Sequence, residues 1–383
     1  MSKIELPSFK PELELKFSQV VEELKYCRRV SPEEIPLYKL SKVLYAIQGV
    51  TRGVFGTKVR TIPSAGATYP LVVYVEPYSR EVKGGFYRYS STREYLGELH
   101  LQEERETSIS KIYIHAVFAR TTRYYGLRGE NYVLMEVGHA LQNALLESTS
   151  LGLGLSYSLN VEEMSRSVKE GEEPIATLEL GSCTEKPKLS YDVSIFKAKA
   201  VSLKIPELPE IALEEAIVRR RSIRRYSSPT ISLNELAYVL YNSCGRVWGG
   251  DRPYAPPGGV YCLNVFLVIG NVKGLNPGIY FYNDRENSLV LIREGDLRRE
   301  ICRAALSQEW VLEAPASIVL ASKANVKKQF LYVETGMVGQ NVYLAATSVG
   351  LGTVAIGAFY DEEVAEVLKT GELPLYIMPL GRL

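Results

Sequence analysis

Histidine, cysteine and net charge are all in short supply in this chain. The three histidines (His100, His115 and His139) show no metal-ligand spacing, so no metal site is expected. Five cysteines (Cys27, Cys183, Cys244, Cys262 and Cys302) lie far apart. Their odd number and the lack of any C-x-x-C argue against a disulfide framework or a zinc knuckle. With 45 basic and 44 acidic residues the net charge is +1, so no global field favours nucleic acid or an anionic membrane and any anion site must be local. The first residues carry no apolar signal core, and the longest apolar runs, such as "VFLVIG", are strand length and too short to span a bilayer. Together these absences predict a cytoplasmic protein in a reducing compartment, without a membrane or nucleic-acid partner. The G-x-S-x-G, H-E-x-x-H, Walker A and post-strand G-x-G-x-x-G patterns are also missing. Hydrolase, kinase and dinucleotide-fold chemistries therefore lack their usual residues, and any chemistry falls to a cofactor.

What the chain does have is itself, twice. Its 383 residues, 46% of them hydrophobic, suffice for two domains at roughly 150 residues each. "LSKVLYAIQG" (40–49) returns as "LAYVLYNSCG" (236–245), and "GATYPLVVYV" (66–75) as "GGVYCLNVFL" (258–267). "GGFYRY" (84–89) returns as "PGIYFY" (277–282), and "EVGHALQNALLESTSLGLG" (136–154) as "ETGMVGQNVYLAATSVGLG" (334–352). "PIATLELGS" (174–182) returns as "PLYIMPLGR" (374–382). The order is kept while the offset drifts, as loop insertions produce. Such long copies are not solenoid units. They reproduce a two-fold dimer inside one polypeptide: domain 1 over 1–190, a linker over 191–205 and domain 2 over 206–383, as a monomeric pseudo-dimer open to further dimerisation.

The second copy reads as follows. A helix covers 232–244, with Ser232 as N-cap and Glu235 completing a capping box. Strands are expected at 260–269, after the turn in "NVKGLNPGIYFYN", near 316–321 and at 374–380, and "AKAVSLKI" suits an edge strand. The run 328–350, rich in Gly and Ala and apolar on most faces, reads as a long helix buried all round. Helices mixed with hairpins predict an α+β fold around an antiparallel-leaning sheet.

Three stretches stand out. In "RRRSIRR" (219–225), five arginines fall within seven residues. If the segment is extended, Arg220, Ser222 and Arg224 project to one side, and two guanidiniums with a hydroxyl suit a phosphate. Taken alone, the run equally fits a solvated helix end. "PSAGATYP" (63–70) and "GLGTVAIGAF" (350–359) are small-residue turns that let a ligand approach the backbone, though each alone is also an ordinary turn.

In combination, R-x-S-x-R, P-S-A-G-A-x-Y-P, the Q-N helix and "AIGAF" resemble the nitroreductase family of FMN-dependent oxidoreductases. "PSAGATYP", "RTTRYYGLRG" and "VGHALQN" are similar to its SagB-type dehydrogenase branch, which includes enzymes that oxidise azolines in modified peptides. The resemblance implies two FMN-binding-type domains, with one FMN between copies and NAD(P)H as electron donor. Arg220, Ser222 and Arg224 would hold phosphate and ribityl oxygens, with Pro63, Ser64 and Ala65 reaching over from the first copy. Gln308 would lie near the flavin, the backbone of Ile356 and Gly357 against its ring, and Arg382 beside the phosphate. In the second copy the P-S block has become "PYAPPGG" (253–259). In the first, the counterpart of R-x-S-x-R is expected at "RVSPE" (29–33), with Glu33 in place of Arg224. A carboxylate there would repel a phosphate by about 1 kcal/mol even in water. One intact site per chain is the expectation. The branch usually has Lys-Tyr where this chain has Tyr124-Tyr125, which makes those tyrosines the catalytic candidates. The implied function is hydride transfer through flavin between a small-molecule donor and an acceptor. The alternatives are an azoline dehydrogenase and a non-catalytic scaffold.

Overall fold

A computed structural model describes residues 3–54, 57–160, 169–196, 198–247 and 250–383. The chain divides into two compact units. One comprises 1–15 with 23–188; the other comprises 16–22 with 189–383. The short helix α1 (Phe17–Glu22) thus belongs to the second unit. Its Ser18 hydroxyl donates to Glu210 at 2.5 Å, and Phe17 and Val21 are fully buried.

The first unit is built on an eight-stranded sheet. Its order is Lys3–Glu5, Leu96–Glu103, Phe86–Arg93, Leu71–Glu76, Ser110–Ala116, Glu173–Glu185 and Arg29–Ser31, with Gly154–Ser158 also paired to Glu173–Glu185. Every pairing in it is antiparallel. Helices α2 (Leu37–Gln48), α3 (Ala119–Tyr125) and α4 (Arg128–Ser150) complete the unit. The second unit repeats the plan. Its seven strands run Ala200–Ser202, Ser288–Glu294, Gly278–Asn283, Asn264–Ile269, Ala316–Ser322, Leu373–Arg382 and Leu351–Thr353, all antiparallel. Its helices are α5 (Leu213–Arg219), α6 (Leu233–Cys244), α7 (Arg298–Ala304), α8 (Glu309–Glu313), α9 (Lys328–Ser348) and α10 (Asp361–Leu368).

Local chemistry explains these elements. Helix α6 starts at Ser232, whose side chain accepts from the Glu235 N–H while Glu235 accepts from the Ser232 N–H. That capping box satisfies two otherwise orphaned donors. Strand Asn264–Ile269 is buried at every position, because helices cover one face and the cluster of Phe266, Ile301, Val364 and Ile377 fills the other. Helix α9 is buried from Val333 to Ala346, which explains its Gly and Ala content: small side chains let neighbouring backbones approach. The duplicated Gln-Asn pair has a structural use. Asn143 donates to the Ala46 carbonyl of α2, and Asn341 donates to the Ser243 carbonyl of α6. Each long helix is thereby pinned to its shorter neighbour by a buried polar bond.

One expectation fails. Cys27 and Cys183 form a disulfide with Cα atoms 5.6 Å apart. Strands Arg29–Ser31 and Glu173–Glu185 pair so that Cys183 faces Val30, which carries Cys27 alongside. Cys244, Cys262 and Cys302 are free and buried, so the odd count concealed one pair. Among the described residues no helix is long and apolar enough to cross a membrane.

Candidate functional site

The residues singled out by sequence fall into two groups, one in each unit. In the second unit the chain leaves α5 at Arg220 and runs extended. Ser222 bridges Thr353 in parallel, and the Ile223 N–H donates to the Thr353 carbonyl at 2.9 Å. The alternating projection then follows. The Arg220 guanidinium lies over the Tyr343 ring at 5.2 Å, and the Ser222 hydroxyl meets the Tyr343 hydroxyl at 3.0 Å. Arg224 is exposed and its guanidinium lies 5.5 Å from the Trp310 ring.

Tyr343 also links this segment to the small-residue turn, because its hydroxyl accepts from the Ala355 N–H at 2.8 Å. Ile356 is held by two backbone bonds to Ile377, and Gly357 beside it is half-buried. Gln308 is tied to the same turn by donating to the Ala358 carbonyl at 3.2 Å and to the Ala305 carbonyl at 2.8 Å. It follows Leu306 and Ser307, both in the left-handed region at φ 57° and 56°. Two consecutive non-glycine residues there cost roughly 1–2 kcal/mol each, the kind of local strain found where a segment must be held for a ligand. Arg220, Ser222, Gln308, Ile356 and Gly357 therefore converge. Arg382 does not join them; it is ion-paired with Glu235.

In the first unit the "PSAGATYP" segment forms a tight turn, Ala65–Ala67. Gly66, Ala67 and Tyr69 all take positive φ, at 59°, 53° and 43°. The Ser64 hydroxyl oxygen accepts from the Tyr69 N–H at 2.9 Å, and the Thr68 and Thr121 hydroxyls meet at 2.8 Å, fastening the turn to α3. Arg120 of α3 donates to the Tyr69 carbonyl. A Cβ on Gly66 would sit 2.7 Å from the Tyr125 hydroxyl, so Tyr125 closes over the turn. Tyr124 does not: it is 65% exposed, under the Arg123 guanidinium. Near Ser64 lies Glu136 of α4, which is buried. Burial pushes its carboxyl up to about 8, against the opposing pull of Ser64, Arg60 and Arg120.

The counterpart of R-x-S-x-R in the first unit is not at 29–33. Tyr26 bridges Leu155 in parallel and the Cys27 N–H donates to the Leu155 carbonyl, as Ser222 and Ile223 do with Thr353. Leu155 and Thr353 each follow the duplicated G-L-G, and α2 and α6 start in step with this register. So Leu24 stands for Arg220, Tyr26 for Ser222 and Arg28 for Arg224, while Glu33 lies beyond the segment and accepts from Ser182. The first copy thus has an aliphatic chain and a ring where the second has Arg220 and Ser222, and keeps an arginine, Arg28, in the place of Arg224. Burial raises the Tyr26 phenol to about 12, and Arg28 is paired with Glu185.

Sequence reasoning missed Tyr343, Trp310 and Glu136. Glu136 had a signal, since an acid inside an apolar helix recurs at Glu334. Tyr343 and Trp310 had none, because an aromatic on a buried helix reads as core.

An α+β unit built on an antiparallel main sheet occurs twice in the chain, and in the second a guanidinium-hydroxyl segment lies against a small-residue turn. The nitroreductase family model matches residues 25–170 and 217–382, and the chain belongs to the nitroreductase family, in tandem. The protein named nitroreductase MJ1384, from Methanocaldococcus jannaschii, is 36% identical over 193 residues, covering 48% of this chain and 96% of that one. Trifolitoxin operon protein TfxC of Rhizobium leguminosarum bv. trifolii is 23% identical over 282 residues, or 65% of this chain and 79% of that one. A crystal structure of a nitroreductase from Anabaena variabilis is alike in fold, with a TM-score of 0.72 at 22% identity, covering 98% of this chain and 93% of that one.

Proposed function

We propose that this chain binds one FMN and works as a flavin-dependent oxidoreductase with a reduced nicotinamide as electron donor. The supporting observation is the convergence of Arg220, Ser222, Gln308, Ile356 and Gly357 around Tyr343. The donor set fits the group: two guanidiniums and a hydroxyl on alternate residues suit a phosphate and its neighbouring hydroxyls. Arg220 and Arg224 hold the phosphate, and Ser222 holds a ribityl oxygen. Gln308 and the backbone at Ile356 and Gly357 face the ring. Pro63, Ser64 and Ala65 supply the remaining wall, by the sequence argument that each copy keeps what the other lacks. Arg382 would have to leave Glu235 to assist the phosphate.

When bound, FMN supplies the hydride-accepting and hydride-donating centre. The chain's own part is to bind, orient and exclude water. The Gln308 amide N–H groups and the Ile356 N–H are spent on backbone carbonyls, so these residues give a rigid wall beside the ring and do not themselves donate to it.

A second reading, azoline oxidation in modified peptides, draws support from Tyr125, whose hydroxyl sits against Gly66 of the turn. A lysine whose pKa burial lowers serves better than a phenol as a general base at neutral pH, so this reading stands second. The scaffold alternative is separated by absorbance. Purified chain carrying flavin bands that bleach with NADH or NADPH supports the enzyme, and a colourless chain that refuses added FMN supports the scaffold.

A further inference from the structure

The first unit holds a cavity where the second holds packed core. Its volume is about 370 Å³, and its lining includes Arg28, Lys111, Ser156, Ser158, Thr177 and Glu179. Strand register gives each of these a counterpart. Ser158 pairs with Thr177 in the first unit as Ile356 pairs with Ile377 in the second. Ser156 stands for Val354, Lys111 for Ser317 and Glu179 for Pro379, as Arg28 does for Arg224. In the second unit Val354, Ile356 and Ile377 share one cluster with Ile301 and Ala304 of α7 and Val311 of α8, and Arg224 lies over Trp310 of α8. Helices α7 and α8 fall between strands Ser288–Glu294 and Ala316–Ser322, whereas only residues 104–109 join the matching strands Leu96–Glu103 and Ser110–Ala116. The cavity thus lies where α7 and α8 stand in the other copy, and three aliphatic side chains facing that space have become hydroxyls.

Water alone would accept polar side chains on an antiparallel sheet face; it would not require a concave one. The groups around the cavity suit a small polar ligand. Lys111 Nζ and Glu179 Oε1 lie 3.0 Å apart on neighbouring strands. One donates and the other accepts, so together they can serve adjacent hydroxyls of a sugar. Ser158 and Thr177 add hydroxyls able to do either. Ser156 donates to the Arg28 carbonyl at 3.1 Å, which fixes the Arg28 backbone at the rim. The Arg28 side chain is 62% exposed, and its partner Glu185 is 41% exposed. An ion pair so open to water contributes little, so a phosphate can take the place of the carboxylate and meet the guanidinium fork. Two cations against one carboxylate in the lining favour an anion. The volume of about 370 Å³ is at the small end of ligand sites, of the size of a pentose or hexose.

We propose that this cavity is a second ligand site, for a sugar phosphate, with Arg28 on the phosphate and Lys111, Glu179, Ser158 and Thr177 on the sugar hydroxyls. It stands whether or not the chain binds flavin. The test titrates the full chain with ribose 5-phosphate, in the presence of excess FMN so that the other phosphate clamp is filled, and follows binding by calorimetry and saturation-transfer NMR. Ribose 5-phosphate should bind with a Kd of about 1 mM or tighter, and ribose or inorganic phosphate alone about tenfold more weakly or worse. Thr177→Ile and Ser158→Ile install the residue types that the second unit carries at the same strand positions, so the sheet is kept, and each should weaken binding about tenfold or more. Arg28→Leu, at an exposed position, should weaken ribose 5-phosphate about tenfold and leave ribose unchanged; it carries the test if either isoleucine variant fails to fold. No binding of ribose 5-phosphate up to about 10 mM, undiminished binding in Thr177→Ile or Arg28→Leu, or inorganic phosphate binding as tightly as the sugar phosphate overturns the proposal.

Discussion

The disulfide gives the prediction with the most direct magnitude. Cys27 and Cys183 are separated by 156 residues, nearly the whole first unit. Cross-linking a chain over such a span restricts the unfolded ensemble, and the chain-entropy relation puts the effect at about 5 kcal/mol as a ceiling. For a domain of this size each kcal/mol moves Tm by about 2–4 °C. Reduction, or Cys183→Ser, should therefore lower the melting transition of the first unit by roughly 10–20 °C. Cys183 is exposed while Cys27 is fully buried, so reductant reaches the bond from the Cys183 side. Scanning calorimetry with and without a phosphine reductant makes the measurement, and Cys183→Ser should match reduced wild type and ignore the reductant. A wild-type transition that reduction leaves in place would show that the bond does not form in solution or closes no entropic loop.

Four further outcomes follow from the geometry. Arg224→Glu should lose bound FMN while keeping its fold, by about ten- to a hundredfold in affinity, since one charge-assisted bond is worth about 1.5–3 kcal/mol; unchanged flavin content would place the phosphate elsewhere. Tyr343→Phe removes the hydroxyl shared by Ser222 and Ala355, and should cost about 1–3 kcal/mol in denaturant unfolding and loosen flavin, whereas unaltered values would make Tyr343 plain core. Gly66→Ala puts a Cβ at φ 59° and 2.7 Å from the Tyr125 hydroxyl, so about 1–2 kcal/mol should be lost; Tyr125→Ala in the same chain should restore the space but not the backbone term. Glu136 has its folded pKa raised to about 8, so its contribution is present at low pH and lost as pH rises from the ordinary carboxyl range through about 8. Wild type should lose stability relative to Glu136→Gln over that window, by roughly 5 kcal/mol at most, and parallel Tm–pH curves would deny the shift.

Much of this was legible in the sequence because local chemistry and duplication agreed. Ser232 with Glu235 marked the start of α6, "AKAVSLKI" marked the edge strand Ala200–Ser202, and the repeated blocks marked both sheets. What the sequence hid depends on long-range register. Arg29 and Ser31 imitate the letters of R-x-S, yet spacing to α2 and the bridge to Leu155 put Tyr26 and Arg28 in those places. Letter similarity outweighed spacing there. The Cys27–Cys183 pair is visible only once two strands are paired. Helix α1 joins the second unit through Ser18 and Glu210, a contact no local pattern announces. Tyr343 looked like core because it is core, with a hydroxyl that happens to link two segments.

Flavin stoichiometry tests the central claim most directly. Chain saturated with FMN, freed of excess and quantified by absorbance against peptide concentration, should carry one FMN per chain, and Arg224→Glu should carry almost none. Two FMN per chain, or an undiminished single FMN in Arg224→Glu, would contradict the account.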